Sequence, residues 1–235
     1  MRFRYLFIVV FIVLSNHNKS QNINIGGLFP TIDHSASIND KVGYGIYYFA
    51  AFPILNINKP DFKKDPFFHL LYAEHAINFN PSKKITFTGS YVYQRANVVY
   101  DNYSNENRFY AQAKFNHQIK KLDVSHRFRF DGRFIENRST KKSPFTHRAR
   151  YLIGATYSLN NTSYITGYEE LFFNTTKNSF FIYEENWAYA GIGRSLNKNN
   201  KFEVGLLYVT WDMGKRNWFN QYYFQTTWIN HLNFK

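Results

Sequence analysis

The chain has 235 residues and a formal net charge of +13, from 29 Lys and Arg against 16 Asp and Glu; 19% of residues are charged, 20% are aromatic and none is cysteine. This composition excludes a disordered chain, which is charge-rich and aromatic-poor, and excludes disulfides, thiolate zinc sites, catalytic thiols and a lipid-modified N-terminal cysteine. One apolar run and a mean hydropathy of −0.46 exclude a polytopic helical membrane protein.

Residues 1–20 have the layout of a secretory signal peptide. Arg2 and Arg4 precede the nine-residue apolar run Leu6–Leu14, and a short polar stretch ends near Ser20 and Gln21. The run is about half of the ~20 residues a spanning helix needs. Residues 21–40, with Gly26, Gly27 and Pro30, read as an N-terminal lead-in or an additional strand. Residues 41–235 form the barrel domain.

From residue 41 onward the periodicity is two, which is the signature of strands. In Leu122–Glu136 one face reads Asp123, Ser125, Arg127, Arg129, Asp131 and Arg133; the other reads Leu122, Val124, His126, Phe128, Phe130, Gly132 and Phe134. Arg108–Gln118 sets Arg108, Tyr110, Gln112, Lys114 and Asn116 against Phe109, Ala111, Ala113, Phe115 and His117. Short polar gaps (Asn80–Lys84, Ile119–Lys121, Ser158–Thr162, Leu196–Asn200) alternate with longer ones (Pro53–Pro66, Val98–Asn107, Asn137–Phe145, Asn174–Phe180, Met213–Asn217). Short turns alternating with long loops predict an all-β, antiparallel transmembrane β-barrel of about ten strands, with twelve as the alternative. An even count places both chain ends on the periplasmic side. The prolines are expected outside the strands, since Pro removes a ladder donor. Aromatics near strand ends fit an interfacial girdle, and the final strand alternates Tyr222, Phe224, Thr226, Trp228 to the C-terminus. The competing reading is a secreted soluble sandwich or barrel.

Candidate lumenal cations are Arg108, Lys114, Arg127, Arg129, Arg133, Arg148 and Arg150; candidate lumenal anions are Glu74, Asp123, Asp131, Glu170 and Glu185. They lie on consecutive strands, so they should be neighbours across the sheet. A barrel of eight strands is just filled by its side chains, and unpaired buried charge is costly. The favoured reading is therefore a structural ion-pair network; a narrow anion-preferring pore is the alternative. An outer-membrane barrel hydrolase is a further alternative, with a cluster at the outer rim among His69, Asp101, Asp131 and Glu184. No His is bracketed by Ser and a carboxylate at a spacing that indicates a triad, and His69 and His75 are ~20 Å apart along a strand. No catalytic residue, metal or cofactor is assigned, and the Asp61–Asp65 segment reads as a solvated turn.

The expected partners are outer-membrane lipid, lipopolysaccharide and, through the last strand, the barrel-assembly machinery. Nucleic acid is not expected, because Arg and the aromatics lie on opposite faces.

The run His126-Arg127-Phe128-Arg129-Phe130, Arg133-Phe134, Arg148-Ala149-Arg150-Tyr151, Tyr168-Glu169-Glu170-Leu171-Phe172 and Glu185-Asn186-Trp187-Ala188-Tyr189-Ala190-Gly191-Ile192-Gly193 resembles an uncharacterised outer-membrane barrel family of Bacteroidota, domain of unknown function 2490, best over residues 85–212. The resemblance implies a fold and an outer-membrane location in a Gram-negative bacterium, but no activity. The family tends to have Arg where this chain has Trp187, so a lumenal pairing is expected to be missing there.

Overall fold

The computed structural model describes residues 23–57, 68–176, 182–214 and 217–234. The expected signal peptide at residues 1–20 and the expected turn at residues 61–65 lie outside the described residues. Eleven strands form one closed barrel: β1 (Ile23–Ser37), β2 (Val42–Asn56), β3 (Leu70–Ser82), β4 (Ile85–Ala96), β5 (Ser104–Ile119), β6 (Leu122–Ile135), β7 (Phe145–Ser158), β8 (Ser163–Asn174), β9 (Ile182–Ser195), β10 (Asn200–Gly214) and β11 (Asn217–Asn233). Each strand pairs antiparallel with its sequence neighbour, and β1 closes the ring against β11 in parallel.

The count is eleven rather than ten or twelve because the segment before residue 41 is a full strand. In an up-and-down meander an odd count forces the first and last strands to run the same way. The β1 start and the β11 end therefore lie at opposite ends of the barrel, not at the same end as an even count requires. The short connections between β1–β2, β3–β4, β5–β6, β7–β8 and β9–β10 all share the end where β11 finishes.

The prolines also depart from expectation: Pro30, Pro53 and Pro81 lie within β1, β2 and β3. The barrel accommodates Pro30 at a local break. The β1–β2 register runs Leu28↔Phe52 and resumes at Thr31↔Phe49, while β1–β11 pairing continues through Pro30↔Thr226. Pro30 has no N–H to give to β2. Just before the break the register shifts at Gly26/Gly27, and a Cβ on Gly27 would lie 2.1 Å from the Phe52 carbonyl oxygen. Only glycine permits that approach.

The two faces of the barrel reverse the pattern of a soluble protein. Leu28, Ile77, Phe87, Phe109, Phe128, Phe130, Ile153, Ile192, Leu206 and Phe224 point outward and are exposed. Inside, one sector is aromatic: Phe49 stacks between Phe29 (centroids 4.5 Å) and Tyr72 (4.4 Å), and Trp187 packs edge-on against Phe29. The other sector carries the charges.

Candidate functional site

The charged sector is built by register. Across β5–β6 the inward pairs are Arg108↔Arg133, Tyr110↔Asp131, Gln112↔Arg129 and Lys114↔Arg127. Across β6–β7, Asp131 faces Arg148 and Arg129 faces Arg150. Strict alternation thus turns a sequence pattern into a wall of guanidinium groups, and like charges directly opposite each other must be neutralised from elsewhere.

Six carboxylates do this. Asp131 is 0% exposed, and its Oδ2 lies 3.2 Å from Arg148, 3.7 Å from Arg150 and 3.9 Å from Arg108. Glu170 takes both Nε and Nη2 of Arg150 (2.8 and 2.9 Å) and Nη2 of Arg127 (2.7 Å). Glu106 takes Nε and Nη2 of Arg133 (2.8 and 3.0 Å) and also Arg108 (2.7 Å). Glu74 lies 3.6 Å from Arg129 and accepts from the hydroxyls of Tyr72 and Tyr110, each at 2.6 Å. Glu185 pairs with Arg148 at 3.1 Å, and Glu184 lies 3.9 Å from Arg133. Six arginines meet six carboxylates, so this layer carries no net formal charge. The bidentate Arg–carboxylate forks fix geometry as well as charge. The aromatic sector joins in: the Arg150 and Arg148 guanidinium carbons sit 4.3 and 4.7 Å from the Phe172 ring centre, and Arg129 sits 3.7 Å from that of Tyr110.

Of the candidates read from sequence, Arg108, Arg127, Arg129, Arg133, Arg148, Arg150, Asp131, Glu74, Glu170 and Glu185 converge in this network. Lys114 and Asp123 also line the lumen but make no ion pair among the described residues. Glu106, a hub for two arginines, falls in what the sequence reads as a loop. It continues the inward parity of Arg108 and Tyr110 by two residues, and the Asn-rich stretch around it concealed the start of β5. Among the residues considered for an outer-rim cluster, Asp131 is instead locked at mid-lumen between guanidinium groups. His75 faces outward, bonded to Tyr44 and, at 2.8 Å, to Tyr48. His126 bonds Tyr151 and His147 bonds Thr175. At Trp187 the indole N–H donates to Glu185 (2.6 Å) and the ring joins the aromatic sector, so an aromatic contact occupies the place of the expected cation. Beyond the end of β6, Glu136 accepts the Asn105 backbone N–H at 3.1 Å; that bond, with Lys141 at 3.3 Å, holds its carboxyl below the ordinary Glu range.

A cavity of about 1260 Å³ reaches residues of both rims, from Lys83 and Gln118 at the short-turn end to Arg138 and Trp211 at the long-loop end. At mid-height it is narrowed by the ion-pair layer and by Phe29, Phe172 and Val92, all nearly fully buried.

No curated protein and no solved structure matches this chain. Residues 35–220 match the family described as protein of unknown function (DUF2490), which spans β1 from Ser35 through β11 as far as Asn220 and so includes every member of the ion-pair layer. On a match of that extent, the chain belongs to the DUF2490 family.

Proposed function

We propose that this protein is an outer-membrane β-barrel of a Gram-negative bacterium, with a structural or interaction role and a lumen closed at mid-height by its charge-balanced ion-pair layer. The observation that carries the reading is the inverted surface: a continuous belt of Phe, Leu and Ile outside and paired Arg and Glu inside. Such a belt is a liability in water and is what a hydrocarbon environment demands, with every ladder closed so that backbone polar groups pair internally. Exposed Tyr222, Phe224 and Trp228 alternate along β11 and would offer the assembly machinery its terminal strand. In the usual orientation, with short turns in the periplasm, the end of β11 is periplasmic and β1 enters from the outer rim.

Two measurements test this. Refolded into planar bilayers, the protein is expected to give no discrete current steps while retaining heat-modifiable migration on gels. Anion-preferring steps that Arg129→Glu reduces or reverses would make it a selective pore instead. Phe128 is 53% exposed on the belt, so Phe128→Arg is expected to lower stability by about 2–4 kcal/mol in lipid vesicles, as a cation near the bilayer midplane does. A change near zero would return the protein to the aqueous class.

A further inference from the structure

Below the ion-pair layer, toward the short-turn end, the lumen has a second character. The ring order places β11 five strands from β6 in one direction and five from β5 in the other. The strands flanking β11 therefore face β5 and β6 across the lumen. On the β1 and β10 side stand Asp33 and Glu203; on the β5 and β6 side stand Lys114 and Arg127. All four line the same cavity; Lys114 and Arg127 are directly paired across β5–β6, and Glu203 is level with Thr227 and, through it, with Thr31, two residues before Asp33 on the same face of β1.

Unlike the layer above, this one is not self-satisfied. Asp33 and Lys114 make no ion pair or hydrogen bond among the described residues. Glu203 accepts one hydrogen bond, from the Tyr164 hydroxyl at 2.9 Å, and has no ion-pair partner among them. Arg127 gives Nη2 to Glu170 but leaves its buried Nε without an acceptor. Two more buried groups in the cavity wall are unpartnered: the Tyr189 hydroxyl and the Gln225 Oε1, on residues only 5% and 4% exposed. Buried polar atoms are nearly always paired, so three unpartnered ones on residues of one cavity wall set this part of the lumen apart from the layer above.

We infer that this chamber binds a small zwitterion, an α-amino acid or short peptide, with its ammonium between Asp33 and Glu203 and its carboxylate toward Lys114 and the Arg127 guanidinium. The separation of sign across the lumen selects the class. A simple anion drawn to Lys114 would meet two carboxylates opposite, and a simple cation would meet Lys114. A neutral molecule bearing both charges satisfies both walls. The chamber lies inside the barrel, so this inference stands whether or not the barrel resides in a membrane.

The test is calorimetric titration of the folded full chain in detergent with three probes: glycylglycine, N-acetylglycine, which keeps only the carboxylate, and glycinamide, which keeps only the ammonium. Glycylglycine is expected to bind at least tenfold tighter than either half. Asp33→Asn should weaken glycylglycine at least tenfold without weakening N-acetylglycine; Lys114→Met should weaken glycylglycine without weakening glycinamide. Heat-modifiable migration establishes that each variant is folded, and Glu203→Gln replaces Asp33→Asn if that variant fails to assemble. Equal binding of N-acetylglycine or glycinamide, or no binding of any probe by the folded wild type, overturns the inference.

Discussion

Replacing Asp131 by alanine is expected to lower stability by about 3–5 kcal/mol, the range for removing one partner of a buried ion pair. The reason lies in who is left behind. Asp131 is completely buried, and Arg148, Arg150 and Arg108 all lie within 4 Å of one of its oxygens. Without it, Arg108 and Arg150 retain Glu106 and Glu170, while Arg148 retains Glu185 alone. Three guanidinium groups then share a dry volume with too little negative charge. The measurement is the urea midpoint of the refolded protein at constant slope. The comparison is Lys141→Ala, which removes an exposed lysine from its pair with Glu136 and should cost at most about 1 kcal/mol. If Asp131→Ala moved the midpoint no further than Lys141→Ala, the lumen would be wet enough to screen its charges, and the closed-layer reading would fail with it. Replacing Asp131, Arg148 and Glu185 together by apolar residues of similar size should recover much of the loss, because the penalty belongs to unpaired charge rather than to missing charge.

That layer is also where the sequence was most legible, for a physical reason. Period-two alternation fixes which face a side chain occupies, and a buried face cannot slip by one residue without exposing everything it carries. The inward set Arg127, Arg129, Asp131 and Arg133 could therefore be read directly, and so could the outward Phe128 and Phe130. What could not be read is which inward residues pair from one strand to another. The ties from Glu106 to Arg133 and from Glu74 to Arg129 depend on register between strands, which is a property of the closed sheet and not of any one segment. β1 was missed as a definite strand because Gly26, Gly27 and Pro30 all argue locally for a break. The structure keeps that break, as a register shift and a gap toward β2, yet holds the strand through continuous pairing with β11 and through buried Ile25 and Phe29. Asp33 and Glu203 had no apparent role in the sequence because each gains one only by facing Lys114 and Arg127 across the barrel.

Close backbone packing sets the other large effect. Gly205 and Gly191 are directly paired across β9 and β10, and the Tyr189 ring lies over both. A Cβ on Gly205 would lie 2.4 Å from the Ala190 carbonyl oxygen and 2.7 Å from the Gly191 Cα. Those are backbone atoms and cannot rotate away, so Gly205→Val is expected to cost about 3 kcal/mol, at the upper end of the usual overpacking range, and to yield little folded protein. Gly193 differs in kind. There the three atoms nearest the added Cβ all belong to the far end of the Tyr164 side chain, 2.2–2.5 Å away. Gly193→Val should cost about 1–3 kcal/mol, and Tyr164→Ala should relieve most of that in the double variant, a coupling that a double-mutant cycle reads directly. Tyr189→Ala should rescue Gly205→Val only in part, since the clash with Ala190 remains. Gly89 completes the set: nothing lies within 4 Å of its would-be Cβ. Gly89→Val should therefore be neutral or stabilising by up to about 1 kcal/mol, through the lower entropy of its unfolded chain. The predicted order is Gly205, then Gly193, then Gly89 with the opposite sign or none. Equal losses at all three would mean that these strands are intolerant of any side chain, and that the tyrosine-over-glycine contacts seen at Gly191 and Gly193 contribute no specific packing.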